Sequence, residues 1–126
     1  MSRLAGILRT LSLWLFWPGM GLIIWGELTP TPPDFSPEFG WDKLEHFTAY
    51  FGLASMATMV IGRKTRLAPV ILDIILLGGG LELLQSLTGR DADIWDFAAN
   101  SLGALCGWGV GVFVWRLALA DRTPLE

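Results

Sequence analysis

Long apolar runs that end in small groups of polar residues set the pattern of this chain. The runs extend from about Leu8 to Trp25, from just after Asp42 to Ile61, from Leu67 to Leu87 and from Trp95 to Ala118. Each is close to the ~20 residues that an α-helix needs to cross the hydrocarbon core of a bilayer. The pattern predicts four membrane helices, over residues 8–25, 42–61, 67–87 and 95–118. Pro18 falls inside the first, where a membrane helix tolerates it with a kink. Arg3 and Arg9 ahead of an apolar run also read as a signal peptide. Against that, bulky Trp14, Trp17 and Trp25 stand where a small-residue cleavage site is needed.

The connections carry their own signals. Pro30, Pro32, Pro33 and Pro37 prevent the stretch from Glu27 to Trp41 from being helical throughout. Phe35, Phe39 and Trp41 place part of it at the membrane interface. Gly62 fits a helix stop, and Arg63-Lys64-Thr65-Arg66 makes a short basic loop. The link from Thr88 to Ile94 is brief and polar.

Composition agrees with the pattern. The chain has 126 residues, 52% of them hydrophobic, with seven Trp. That length fits one domain over residues 1–126, and the apolar stretches are too long for a small soluble core. The expected fold class is all-α, an integral membrane four-helix bundle. The formal net charge of −3 says less than its distribution. Arg3, Arg9, Arg63, Lys64, Arg66, Arg116 and Arg122 fall on one side of the predicted bundle, and only Lys43 and Arg90 on the other. Basic loops stay inside, so both termini are expected in the cytoplasm of a multi-pass cell-membrane protein. The single Cys106 reads as a small packing residue with no disulfide. No basic patch with interleaved aromatics supports nucleic-acid binding.

The polar residues then fall at one depth. Asp42, His46 and Tyr50 are spaced i, i+4, i+8 at the outer end of helix two, on one face. Glu82 and Gln85 sit at the outer end of helix three. Asp96 and Asn100 sit at the outer end of helix four, and Arg90 lies in the link between these two helices. Ionisable side chains are expensive in lipid, so such a group marks a functional site. Gly103, Gly107 and Gly111 continue the stripe of helix four as a small-xxx-small pattern, suited to close packing within a chain or between chains. Gly78, Gly79 and Gly80 lie just below Glu82.

Each residue has a plainer reading. A lone His is usually structural, yet Asp42 one turn away can orient the His46 ring and favour its charged form. Glu82 among leucines must be protonated or paired, with Arg90 and His46 as candidate partners. Arg90 either snorkels to the interface or clamps a phosphate or carboxylate. Asp96 suits the cap of helix four, and Asp91 and Asp93 read as solvated link residues. Lys43 reads as exposed near headgroups. Asp73, near the other end of helix three, is left out of the site.

Asp42-Lys43-Leu44-Glu45-His46-Phe47, with Tyr50-Phe51, resembles the first signature of the VanZ-like family of bacterial membrane proteins. Leu81-Glu82-Leu83-Leu84-Gln85, Gly89-Arg90 and the run from Asp96 to Gly103 are similar to the second. The resemblance covers roughly residues 40 to 111. The short loop between helices two and three suggests a minimal member. The family's namesake is associated with low-level resistance to the glycopeptide teicoplanin. Resistance is not carried over, because VanZ-like proteins also occur outside resistance clusters.

The expected partner is a membrane lipid or a lipid-linked envelope precursor, an anionic amphiphile met in the outer leaflet. As an enzyme, the protein would use His46 with Asp42 for proton transfer, Glu82 as a second acid or base, and Arg90 to stabilise phosphate or oxyanion charge. Tyr50, Gln85, Arg90, Asp96 and Asn100 would contact the substrate. The alternatives are a module that binds or shields without chemistry, and a bundle whose polar groups only join helices. A transporter is disfavoured by the lack of internal repeats. Asp42, His46 and Glu82 are ligand types that zinc accepts, but there is no HExxH and no second His. The sequence therefore assigns no metal and no cofactor.

Overall fold

The computed structural model describes residues 2–30, 41–62 and 67–120. The proline-rich stretch 31–40 with Phe35 and Phe39, the basic loop 63–66 and the tail 121–126 with Arg122 lie outside the described residues.

Four helices account for nearly all the described residues: α1 (Arg3–Leu28), α2 (Trp41–Ile61), α3 (Leu67–Gln85) and α4 (Ile94–Ala120). Among the described residues there is no strand. α1 is longer at both ends than its apolar run. It starts behind Ser2, whose hydroxyl accepts from the Ala5 N–H at 3.1 Å, an N-cap that satisfies one of the free donors of the first turn. It passes through Pro18 and ends at Leu28, where the Thr29 N–H donates to the Trp25 carbonyl at 3.0 Å. Glu27 therefore lies in the helix and not in the following loop. α3 is shorter than expected and stops at Gln85. There the chain tightens into turns, Leu87 N–H to Leu84 and Thr88 N–H to Gln85, both at 2.9 Å. Gly89, at φ +84°, then supplies a left-handed step that an L side chain resists.

The helices run up and down, so their ends gather in two groups. At one end the Ser2 hydroxyl donates to the Ala118 carbonyl, which puts the start of α1 beside the end of α4. Ala5, Met59, Trp115 and Ala118 form a buried apolar cluster there. At the opposite end Glu27 of α1, His46 of α2, Glu82 of α3 and Asp96 of α4 converge.

α2 and α4 form the closest pair, and α2 also touches α1 and α3. Glycines set that closeness. A Cβ at Gly103 or Gly107 would collide with the Phe47 or Phe51 carbonyl of α2, and one at Gly111 would sit 2.7 Å from Thr58 Cβ. The glycine stripe thus serves packing within the chain, as small-residue seams do between membrane helices. The Ser55 hydroxyl donates across this seam to the Gly107 carbonyl at 3.1 Å.

α1, α3 and α4 are each long and apolar enough to cross a membrane. α2 falls outside that set, because Asp42, Lys43, Glu45 and His46 occupy its first turns. α2 packs against the other three helices, which bury His46, while Asp42 and Glu45 stay exposed at its end. The outer face is apolar, with Trp14 75% and Leu83 73% exposed. An exposed apolar surface this extensive marks a membrane or partner interface. Cys106 lies on that surface, not among packed side chains as expected, because its position on α4 turns away from the α2 seam.

Candidate functional site

Each of the four helices supplies one carboxylate to a single imidazole. His46 Nδ1 lies 3.6 Å from Glu27 Oε1 and 3.9 Å from Glu82 Oε1. His46 Nε2 lies 3.6 Å from Asp42 Oδ1 and 3.7 Å from Asp96 Oδ2. Asn100 adds its amide oxygen, 3.0 Å from Nδ1. His46 is 8% exposed and Glu82 4%. Spacing on α2 explains half of this: Asp42 and His46 are one turn apart, so the acid lies over the ring edge. The remainder follows from the up-and-down arrangement, which brings the end of α1, the end of α3 and the start of α4 to that turn of α2.

The two edges of the ring differ in charge. On the Nε2 side Lys43 donates to Asp93 at 2.7 Å, to Asp42 at 3.4 Å and to Asp96. Lys43 is therefore an internal tie between α2 and α4, not a free headgroup contact. On the Nδ1 side, Glu27 and Glu82 face the same nitrogen. Each is steadied through its other oxygen. Glu82 Oε2 accepts from the Asp93 main-chain N–H at 3.2 Å, and Glu27 Oε2 accepts from Gln85 Nε2 at 3.5 Å. Glu82 Oε1 is buried and accepts no hydrogen bond.

Asp93 joins Lys43, Glu82 and the start of α4, and is not a solvated link residue. Its side chain accepts from the Trp95 N–H at 2.8 Å, so Asp93 caps α4 and leaves Asp96 free to turn inward. Its carboxyl is held below the ordinary carboxylate range, first by the hydrogen bond from Lys43 and then by that from the Trp95 N–H.

Among the expected contact residues, Tyr50 is fully buried beneath the centre, its ring against Gly78. Asn100 reaches His46 directly. Gln85 and Arg90 are placed differently: both hold the end of α1. Gln85 Nε2 donates to the Glu27 carbonyl at 3.2 Å, and Arg90 Nη1 donates to the same carbonyl at 3.0 Å and to that of Gly26 at 3.4 Å. The last carbonyls of a helix lack internal partners and carry partial negative charge, so a guanidinium suits them. Arg90 thus meets the main chain of α1, not the Glu82 carboxylate.

Glu27 is the residue that sequence reasoning passed over. The depth rule that singled out Glu82 applies to it equally, since it follows the apolar run of α1 by one step beyond Gly26. Assigning it to the proline-rich loop concealed it.

Compared with protein-family models, with curated proteins and with solved structures, the chain has no match.

Proposed function

We propose that this chain is a VanZ-like bacterial envelope protein in which all four helices span the cell membrane. Arg3, Arg9 and Arg116 lie at the end opposite the carboxylates, which supports cytoplasmic termini and an extracytoplasmic centre. The centre recognises the polar head of an amphiphile, a phospholipid or a lipid-linked envelope precursor, and His46 with its carboxylates moves a proton on it. The observation that carries this reading is the convergence of Glu27, Asp42, Glu82 and Asp96 on one buried imidazole. Buried ionisable groups at membrane depth are costly, and a bundle needing only packing would do without them. The two stretches that resemble the family signatures are also the two that meet at His46.

Charge sets a condition on the substrate. An anionic head would approach Glu27 and Glu82 while Lys43 and Arg90 are committed elsewhere. It fits only if positive charge is present on the Nδ1 side of the ring.

Native mass spectrometry of protein released from detergent tests the reading. Wild type should retain a lipid, and Glu82→Gln, which loses the carboxylate that holds that positive charge, should lose it. An identical lipid complement in both would sink the proposal. Loss of turnover of that lipid in His46→Ala, with lipid retention kept, would separate chemistry from binding.

A further inference from the structure

The Nδ1 face of His46 poses a problem of proton counting. Three oxygens converge on one nitrogen: Asn100 Oδ1 at 3.0 Å, Glu27 Oε1 at 3.6 Å and Glu82 Oε1 at 3.9 Å. One N–H proton serves one of them well. Asn100 is the nearest, and the Tyr50 hydroxyl stands beside Glu27, which leaves Glu82 Oε1 without a donor. Glu82, 4% exposed, aims Oε1 into this space with no hydrogen-bond partner. Among the described residues no Lys or Arg forms an ion pair with the Glu27 or Glu82 carboxylate.

We infer that Glu27, His46 and Glu82 bind one divalent transition-metal ion through Oε1, Nδ1 and Oε1, with Asn100 Oδ1 as a fourth donor. The three ligand atoms already lie within 4.8 Å of one another. Donors held ~2.0–2.2 Å from a tetrahedral ion stand roughly 3.4 Å apart, and Nδ1 already stands 3.6 and 3.9 Å from the two carboxylate oxygens. The surrounding bonds are those that metal ligands require. A ligating imidazole turns its other ring nitrogen to a carboxylate, and His46 Nε2 faces Asp42 and Asp96. Ligating carboxylates are held through their second oxygen, as Asp93 N–H holds Glu82 and Gln85 holds Glu27.

The second cluster, Asp42, His46 and Asp96, is the weaker candidate, because Lys43 already neutralises it. The nitrogen ligand argues for a first-row transition ion over Mg²⁺ or Ca²⁺, which prefer oxygen alone. Cation binding stands without the amphiphile reading. Its use, to present positive charge to a phosphate head, rests on that reading.

The experiment is Zn²⁺ titration of the full chain in detergent, after chelator treatment, against a chromophoric competitor. Wild type should bind one Zn²⁺ per chain and retain it in roughly thousand-fold excess Mg²⁺. Loss of an outer contact weakens metal sites about 10–100-fold, so Asp42→Asn should weaken binding by about tenfold, since Asp96 shares the Nε2 side, and Glu27→Gln and Glu82→Gln, which remove a ligand, by more than about 100-fold each. A wild-type melting temperature that Zn²⁺ raises, beside a folded Glu82→Gln that it does not move, excludes misfolding as the cause. No stoichiometric Zn²⁺, or wild-type affinity in both Gln variants, overturns the site. So does a loss confined to Asp42→Asn. Lipid retention measured with and without chelator separates the two readings. Zn²⁺ bound but lipid unaffected by chelator leaves the metal site and removes its substrate role. Lipid retained with no Zn²⁺ bound does the reverse.

Discussion

At one end of the bundle Ala5, Met59, Trp115 and Ala118 close on one another, and at the other Glu27, His46, Glu82, Gln85, Asp96 and Asn100 occupy equally buried positions. The same four helices make both ends. The apolar end needs only shape: Gly62, at φ +67°, ends α2 directly under the Trp115 ring, where a Cβ would lie 3.2 Å away. The acidic end needs partners for every atom, and one carboxylate oxygen of Glu82 has none. On the proposed reading, function lies at the acidic end and stability mainly at the apolar one, and substitutions should separate them.

The largest effect is expected at the apolar end. Trp115→Ala removes the ring that covers Gly62 and should cost about 3 kcal/mol, read as a lower melting temperature in detergent. Lipid retention by the surviving folded fraction should stay at the wild-type level. Next comes the seam that joins the two ends. Gly107→Val forces α4 away from Phe51 and should cost about 2 kcal/mol. Unlike Trp115→Ala it should also weaken lipid retention, because the start of α4 carries Asp96 and Asn100. Equal effects of the two on retention would erase the proposed division.

Arg90→Ala should cost about 1 kcal/mol, the scale of a charged donor lost from a helix end. Arg90 meets two carbonyls of α1, so its loss frees Glu27 to move and should lower retention more than stability alone explains. Glu82→Gln should leave the melting temperature of metal-free protein unchanged or raised, since it removes one of two facing buried carboxylates. The same variant should lose its lipid. A variant that loses both stability and lipid in proportion would return Glu82 to a structural role.

The sequence carried much of this, and the misses have physical reasons. Helix number and order were legible because three apolar runs have membrane length and the run of α2 departs from it only in its first turns. The glycine stripe of α4 was legible as a seam, though only the structure shows its partner to be α2. Asp42, His46, Glu82, Asp96 and Asn100 were legible through their shared depth. Glu27 shares that depth but falls to the proline-rich loop in a local reading, because the end of α1 is fixed by Arg90 and Gln85, more than fifty residues away. Helix ends held by distant side chains leave no local trace. The expectation of Lys43 among headgroups and of Asp93 as a solvated link residue fails for a similar reason: their partnership crosses from α2 to the start of α4, and charge at a helix end looks the same whether water or another helix receives it.

The smallest expected effect concerns that partnership. Asp93 has a lowered carboxyl pKa in the folded protein, chiefly from the Lys43 hydrogen bond. A group whose pKa is depressed on folding contributes stability above its unfolded pKa and loses that contribution as pH falls through the folded value. Asp93→Asn should therefore melt below wild type at neutral pH, and the gap should narrow as pH drops through and below the ordinary carboxylate range. The gap stays modest because Lys43 and Asp93 are each 37% exposed and Lys43 keeps Asp96 as a partner. Melting curves of both proteins across that range check it. A gap that widened on acidification would mean that Asp93 steadies the start of α4 through its protonated form, and that Lys43 does not tie α2 to α4 as described.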